Sequence, residues 1–486
     1  MNEPTPPEVP EVPEVLEVPE VVTQPRAVEQ HGVEPVPESE RTVGAADLFQ
    51  ILINVMINPA LILIGGFGVV AGLSFWAAIA AEVLGVFIAF TTYTIMATVG
   101  VDYGIPGIVS TRAFVGIAAS RWVVSTIRAV SSAFWFAFQT IAASMGIVAV
   151  LKQLFHVNTS LILVSVLFAI LQAIVALFGY DSLKWLSKSV FPVKVLVLGY
   201  LMYVMMTHHA PDRGVADVFA WNGTEGWNWP VFSIWVGATV AAWFTQVTDA
   251  ADYCRYCSSR RSMWTATMSA ALVGIFCAAF FGAYAAAASG ATQANPFVYI
   301  PDLGIGSTTL ILVLIVLVLD NWTINVLNIY TGGLALANLT VKLGRFWSTL
   351  TVAIVGTVLS VLPALVDDFS EVMDTIGSIY APIVGVIVAD YIWVKKWHID
   401  IPALYEPHGP YQYYRGFNLI ASAWVIIGLI IYFPLPATVL PTVVVAVVAG
   451  VGYVATVRLL KPKGAAFSGP RSDAVAPHAS DEVGVF

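Results

Sequence analysis

Charge is scarce in this chain. Only 11% of its 486 residues are Asp, Glu, Lys or Arg, against roughly 25% in an ordinary soluble domain. So little charge cannot cover the water-facing surface of a body this large. That excludes a soluble enzyme and a nucleic-acid-binding protein. Cysteine is scarcer still: Cys254 and Cys257 form a lone C-x-x-C, and Cys277 stands apart. Three isolated thiols make neither a disulfide framework nor a zinc site. The polar segments also lack a metal triad, a nucleophile elbow and a phosphate loop, so neither a cofactor nor an enzyme activity is expected.

What the chain has instead is apolar length. Hydrophobic residues make up 58% of it, gathered in runs of about 20, each long enough to cross about 30 Å of hydrocarbon. Twelve such spans are expected, roughly 49–74, 77–99, 124–151, 159–179, 189–208, 229–252, 264–289, 308–340, 346–365, 376–395, 417–434 and 438–460. Each must be helical, because lipid offers no partner for exposed backbone groups. The fold class is therefore an all-α polytopic membrane protein.

The basic residues supply an orientation. With the N-terminus in the cytoplasm and the spans alternating, 20 of the 22 Lys and Arg fall on inner segments and only Lys152 and Arg213 on outer ones. The inner set includes Arg112, Arg128, Lys194, Arg255 and Lys395. This bias follows the positive-inside rule and places both termini in the cytoplasm, with the body in the plasma (inner) membrane.

Residues 1–45 differ from the rest. They repeat a Glu-Val-Pro unit and hold ten Glu and two Arg. Dense proline and charge leave nothing to pack, so a disordered acidic cytoplasmic tail is expected. It accounts for −8 of the net charge of −9; the body is nearly neutral. Three regions result: the tail, a twelve-helix membrane domain over 46–462, and a C-terminal cytoplasmic tail over 463–486.

Two spans carry features that a plain membrane helix avoids. The first runs Asn58-Pro59 and then Gly65, Gly66 and Gly68; unwound backbone is expected at Ile62, Gly65 and Gly66. The sixth turns polar at Trp243-Phe244-Thr245-Gln246-Val247-Thr248-Asp249. Interrupted helices at matched positions of two five-helix halves point to a transporter site near mid-membrane. Trp135 and Gln139, four apart in span three, share a helix face and could stack on a flat ring and bond its edge. Trp243 could supply a second aromatic face, with Thr245 and Gln246 close by. Span eight holds Asp320, Asn321, Thr323, Asn325 and Asn328 within nine residues. So many polar groups in a membrane helix should face a cavity or a partner.

Several motifs together resemble the nucleobase:cation symporter-1 family of cytosine permeases and hydantoin or allantoin transporters. They are Gly72-Leu73-Ser74 at the end of span one, and Thr111-Arg112-Ala113-Phe114-Val115-Gly116, with Ala113 where the family has Ser. After span six comes Asp252-Tyr253-Cys254-Arg255-Tyr256, then Trp322-Thr323 with Asn325, and Ala389-Asp390-Tyr391 before Lys395-Lys396. The resemblance covers about residues 45–460. It implies a LeuT-like five-plus-five inverted repeat with two further C-terminal helices. Spans one, two, six and seven would form a moving bundle, three, four, eight and nine a scaffold, and five and ten gates. It also implies that Trp135 and Trp243 sandwich a nucleobase-like ring, that Gln139 bonds it, and that Thr245, Asn325 and Asn328 lie at the site.

One departure bears on the driving ion. Sodium-coupled relatives use two neighbouring hydroxyls of span eight, and here the pair is Thr323-Ile324. Asp320 stands nearby. A buried carboxylate can cycle between charged and neutral forms, so proton coupling through Asp320 is favoured over sodium, with Thr323 beside it and Glu82 of span two a second candidate. The expected function is import of a planar heterocycle (cytosine, a purine, uracil, hydantoin or allantoin) by a monomeric symporter. The alternatives are a ring vitamin (thiamine or pyridoxine) and an amine or amino acid on the same scaffold.

Overall fold

The computed structural model describes residues 34–176, 180–209 and 213–460. Among these the secondary structure is helical apart from three isolated β-bridges. Eight helices are long and apolar enough to cross a membrane, and a ninth crossing is the pair Ala45–Met56 and Pro59–Val70, bent by 51° at its break. Three shorter apolar helices, Leu161–Ile174, Gly344–Leu359 and Leu419–Tyr432, complete the set. Each of the twelve apolar runs coincides with one of these, and the numbering of spans is kept for them.

Packing divides the first nine spans into two groups. Span two (Phe75–Tyr103) lies against span six (Trp229–Cys254) and span seven (Arg260–Ala288), and both halves of span one lie against span seven. Span three (Ile117–Phe155) lies against span eight (Ser307–Leu339), and spans four and nine pack on both. This is the bundle and scaffold division that the resemblance implied. Span five (Tyr180–Thr207) touches span one on one side and span eight on the other. Span ten (Phe369–Val394) rests on span six and the two C-terminal helices.

Span one breaks earlier than expected. The first helix ends at Met56 and the second starts at Pro59. Asn58 caps the new helix, its Oδ1 accepting from the N–H groups of Ala60 and Leu61, both at 3.0 Å. Pro59 takes the first helical position, where its missing N–H is no loss. Ile62, Gly65 and Gly66, expected to be unwound, are helical. Their small size serves close packing instead. A Cβ on Gly65 would lie 2.5 Å from the Ala279 Cα, and one on Gly66 would lie 2.3 Å from the Ala294 carbonyl oxygen. Facing them, a Cβ on Gly282 would meet the Ile62 oxygen at 1.9 Å. Gly282→Ala is therefore expected to overpack this seam and to destabilise the protein by about 1–3 kcal/mol, read as a lowered midpoint of thermal unfolding in detergent.

The N-terminal boundary also moves. Residues 34–44 were expected within a loose tail, yet they dock on the end of the bundle. Val36 donates its N–H to the Gly104 oxygen at 2.9 Å, and Val43 donates to the Tyr256 oxygen at 2.8 Å. Arg41 reaches the Val36 oxygen at 3.0 Å and the Asp102 oxygen at 3.3 Å. These bonds, together with the burial of Val36 and Val43, hold the segment; two valines among many prolines and glutamates gave no sign of it in the composition. Residues 1–33 and 461–486, which contain the rest of both expected tails, lie outside the described residues.

Three of the family-like motifs form clasps at this end of the molecule. The Arg112 guanidinium bonds the Asn338 side chain and the Leu404 oxygen. Asp252 accepts from the Gly107 N–H at 2.8 Å, and Arg255 donates to the Tyr330 hydroxyl at 2.9 Å. Asp390 is paired with Lys395 at 3.1 Å and accepts from the Tyr453 hydroxyl at 2.9 Å. Among the bases assigned to inner segments, Arg128 lies buried within span three and Lys194 within span five. The three cysteines are free thiols.

Candidate functional site

The two interrupted helices meet at one cavity. Its walls come from span one (Val55, Asn58, Leu61), span three (Trp135, Gln139), span six (Ala242, Trp243, Gln246) and span eight (Ile324, Leu327, Asn328). The space they leave is small, about 30 Å³, far below the roughly 300–1,000 Å³ of ligand pockets. Among the described residues no charged side chain lines it.

The Gln139 side chain is 3% exposed, and its carbonyl oxygen has no hydrogen-bond partner among the described residues. Buried polar atoms are nearly always paired, so this oxygen is an acceptor waiting for a donor. Trp135 is held by its Nε1–H, which donates to the Thr245 hydroxyl at 3.0 Å, and by edge contact with Phe138 at 5.6 Å. Trp243 packs edge-on against Phe90 of span two, with ring centroids 4.9 Å apart. Each indole is thus fixed from behind, leaving a lining surface for a ring.

Beneath the cavity lies a buried ion pair. Arg128 Nη2 is 2.7 Å from Asp249 Oδ2. The same guanidinium donates to the Thr245 carbonyl oxygen at 3.2 Å, the Gln246 Oε1 at 3.3 Å and the Thr331 hydroxyl at 2.8 Å. It satisfies the backbone and side chains that span six exposes where its helix stops at Phe244. With its oxygen held this way, Gln246 turns its amide donor end to other partners.

Five of the expected substrate residues therefore line one space: Trp135, Gln139, Trp243, Gln246 and Asn328. Thr245 stands behind, holding Trp135. Asn325 also stands behind. Its amide donates to Gln172 of span four and to the Thr140 hydroxyl at 3.0 Å, while its oxygen accepts from Asn328 at 3.1 Å. It ties the scaffold together and positions Asn328. Glu82 lies in the seam between spans two and six, beside Thr239, and is not among the residues lining the cavity. Thr323 donates to the carbonyl oxygen of Asp320 at 2.6 Å.

Three participants escaped the sequence reading. Asn58 was seen only as the start of a break, yet it both caps the helix and borders the cavity. Arg128 and Lys194 were counted with the loops, because the charge bias treats any base near a span end as an inner-face residue. A base deep enough to be buried gives no separate signal in that count.

A bundle packed on a scaffold, with two broken helices meeting at a cavity lined by aromatic, aliphatic and amide side chains, defines a membrane transporter of the LeuT-like type rather than an enzyme. Solved structures share this fold. One is a nucleobase-cation-symport-1 family transporter in a closed conformation with bromovinylhydantoin bound; it superposes with a TM-score of 0.78 at 22% identity, covering 91% of this chain and 98% of that one. A sodium-coupled sialic acid symporter follows at 0.62 and 11%, covering 87% and 92%. Residues 35–456 match the family of permeases for cytosine/purines, uracil, thiamine and allantoin, and the chain belongs to that family, the nucleobase:cation symporter-1 family. Its relatives include the hydantoin permease of Microbacterium maritypicum, 26% identical over 83% of both chains. The allantoin permease of Bacillus subtilis is 24% identical, covering 84% of this chain and 87% of its own.

Proposed function

We propose that this protein imports a small, neutral, planar heterocycle, such as a hydantoin, allantoin, uracil, cytosine or a purine, by alternating access coupled to a proton rather than to sodium. The observation that carries the reading is the cavity itself: two anchored indoles, an unpartnered Gln139 oxygen suited to a ring N–H, and no charge on the walls. Its position at both helix breaks fits a ligand that bundle and scaffold hold jointly. The body is taken to lie in the plasma membrane as a monomer with both termini cytoplasmic, following the basic loops. The absence of an acid on the described walls argues against a cationic vitamin such as thiamine, and the absence of a base against an amino-acid carboxylate.

A thermal-shift panel on the purified protein tests this. Uncharged rings bearing N–H groups are expected to raise the unfolding midpoint. At about 100 times its Kd a ligand adds roughly 2.7 kcal/mol, which is several degrees. Thiamine, pyridoxine and amino acids are expected to leave it unchanged. A shift produced by amino acids alone would overturn the heterocycle reading.

A further inference from the structure

Span five contributes a cation where the sequence offered only a loop residue. The Lys194 side chain is 1% exposed. Its Nζ is paired with the Asp320 carboxylate of span eight. It also donates to the carbonyl oxygens of Asn54 at 3.1 Å and Ile57 at 2.7 Å, both on the first half of span one. An ammonium has three N–H donors, and here each has an acceptor.

The two carbonyls are available because span one breaks. The last turn of a helix leaves its C=O groups unpaired and carries the negative end of the helix dipole. Pro59 has no N–H to return to Val55, whose oxygen is taken by the Asn58 amide at 2.6 Å. Free carbonyls at a helix end together with a carboxylate are the hard oxygen donors that a small metal ion uses. In this chain an amine on a four-carbon tether occupies them.

We infer that Lys194 stands in place of a bound metal cation, so that the Lys194–Asp320 pair carries the coupled proton and the protein has no sodium requirement. This deepens the transporter reading above and rests on it. Lys194 joins span one of the bundle, span eight of the scaffold and its own span. When span one withdraws, the ammonium loses two of its three acceptors. Fewer acceptors weaken the hold on the ammonium, water entering the opened site solvates the Asp320 carboxylate left behind, and the amine releases its proton to water on the open side. On the return stroke it takes a proton from water on the other side. One proton crosses per cycle; the pair alternates between neutral and a single negative charge, which stays on Asp320.

Among the described residues, Asp320 is the charged side chain set against Lys194. Span one presents the two carbonyls. Farther along span five, the Tyr200 hydroxyl bonds Thr309 of span eight at 2.8 Å.

The test uses the full-length protein in proteoliposomes with radioactive sodium and with radiolabelled allantoin, uracil, cytosine and hydantoin. Wild type is expected to show no saturable sodium binding, and uptake should follow an imposed pH gradient whether sodium or choline is the salt. Lys194→Ala is expected to lose gradient-driven accumulation, to keep counterflow exchange of the same probe, and to gain sodium binding on the vacated oxygens. A merely structural lysine would lose exchange as well. Saturable sodium binding by wild type overturns the inference; so does accumulation by Lys194→Ala on a pH gradient, or its failure to gain sodium binding. If that variant does not fold, Lys194→Met with Asp320→Leu removes both charges together, and retained proton-driven accumulation in it is equally fatal. Should none of the four probes be transported, the heterocycle reading falls alone, because the sodium arm still decides the role of Lys194.

Discussion

Trp135→Ala is expected to weaken binding of the preferred ring by roughly 5- to 150-fold, the equivalent of about 1–3 kcal/mol for one stacked base on an aromatic side chain. Trp243→Ala should show a loss of the same order. The two differ in what the conservative change spares. Trp135→Phe keeps a ring but gives up the 3.0 Å bond to Thr245, so its orientation loosens and part of the affinity goes. Trp243 is fixed by Phe90, and Trp243→Phe keeps that contact. Titration calorimetry with the strongest ligand of the panel reads the affinity, and unfolding midpoints separate lost binding from the several kcal/mol that a deleted buried indole removes from stability. Unchanged affinity in both alanine variants would remove stacking as the means of recognition.

The second large effect is on stability. Arg128→Met is expected to destabilise the protein by about 3–5 kcal/mol, because it leaves Asp249 buried with its charge partner gone. Asp249 is 1% exposed, and the lost guanidinium had also bonded Thr245, Gln246 and Thr331. Combining Arg128→Met with Asp249→Leu should recover most of that loss, since removing both members of a buried pair is often neutral. Chemical unfolding in detergent measures both. A single variant within about 0.5 kcal/mol of wild type would show that surrounding groups carry the charge without Arg128. The double variant should still bind its ring more weakly than wild type, because the backbone at the break in span six has lost its donor.

Much of this protein was visible in its sequence because a bilayer permits so few solutions. Apolar runs of span length had to be helices, and spans one and six had to be the interrupted ones, although in span one the break falls at Asn58-Pro59 rather than at Ile62 to Gly66. Trp135 and Gln139 stood out for the same reason: an indole and an amide one turn apart deep in a span are expensive unless used. The errors came where one residue type has two uses. Gly65 and Gly66 suggested unwinding, but glycine also lets helices touch, and only Ala279 and Ala294 across the gap decide between the two. Asn325 belonged to the right polar stripe, yet its rotation turns it to Gln172 and Thr140, leaving Asn328 at the cavity. Lys194 was hidden by a rule that works for the whole set of bases and says nothing of any one of them. Asp320 looked like a lone acid for that reason, and the structure gives it a partner from a helix more than a hundred residues away in sequence.

The docked segment at residues 34–44 has a practical side. It is fastened to the end of span two and to the connection between spans six and seven, and it runs directly into span one. Four helices of the bundle are thereby strapped to one short peptide. A fluorophore attached near residue 35 would report the position of the bundle, and one at the exposed Trp347 of span nine that of the scaffold. An energy-transfer pair at these two positions would test the proposed alternating access, which predicts a change in their distance when a ring binds.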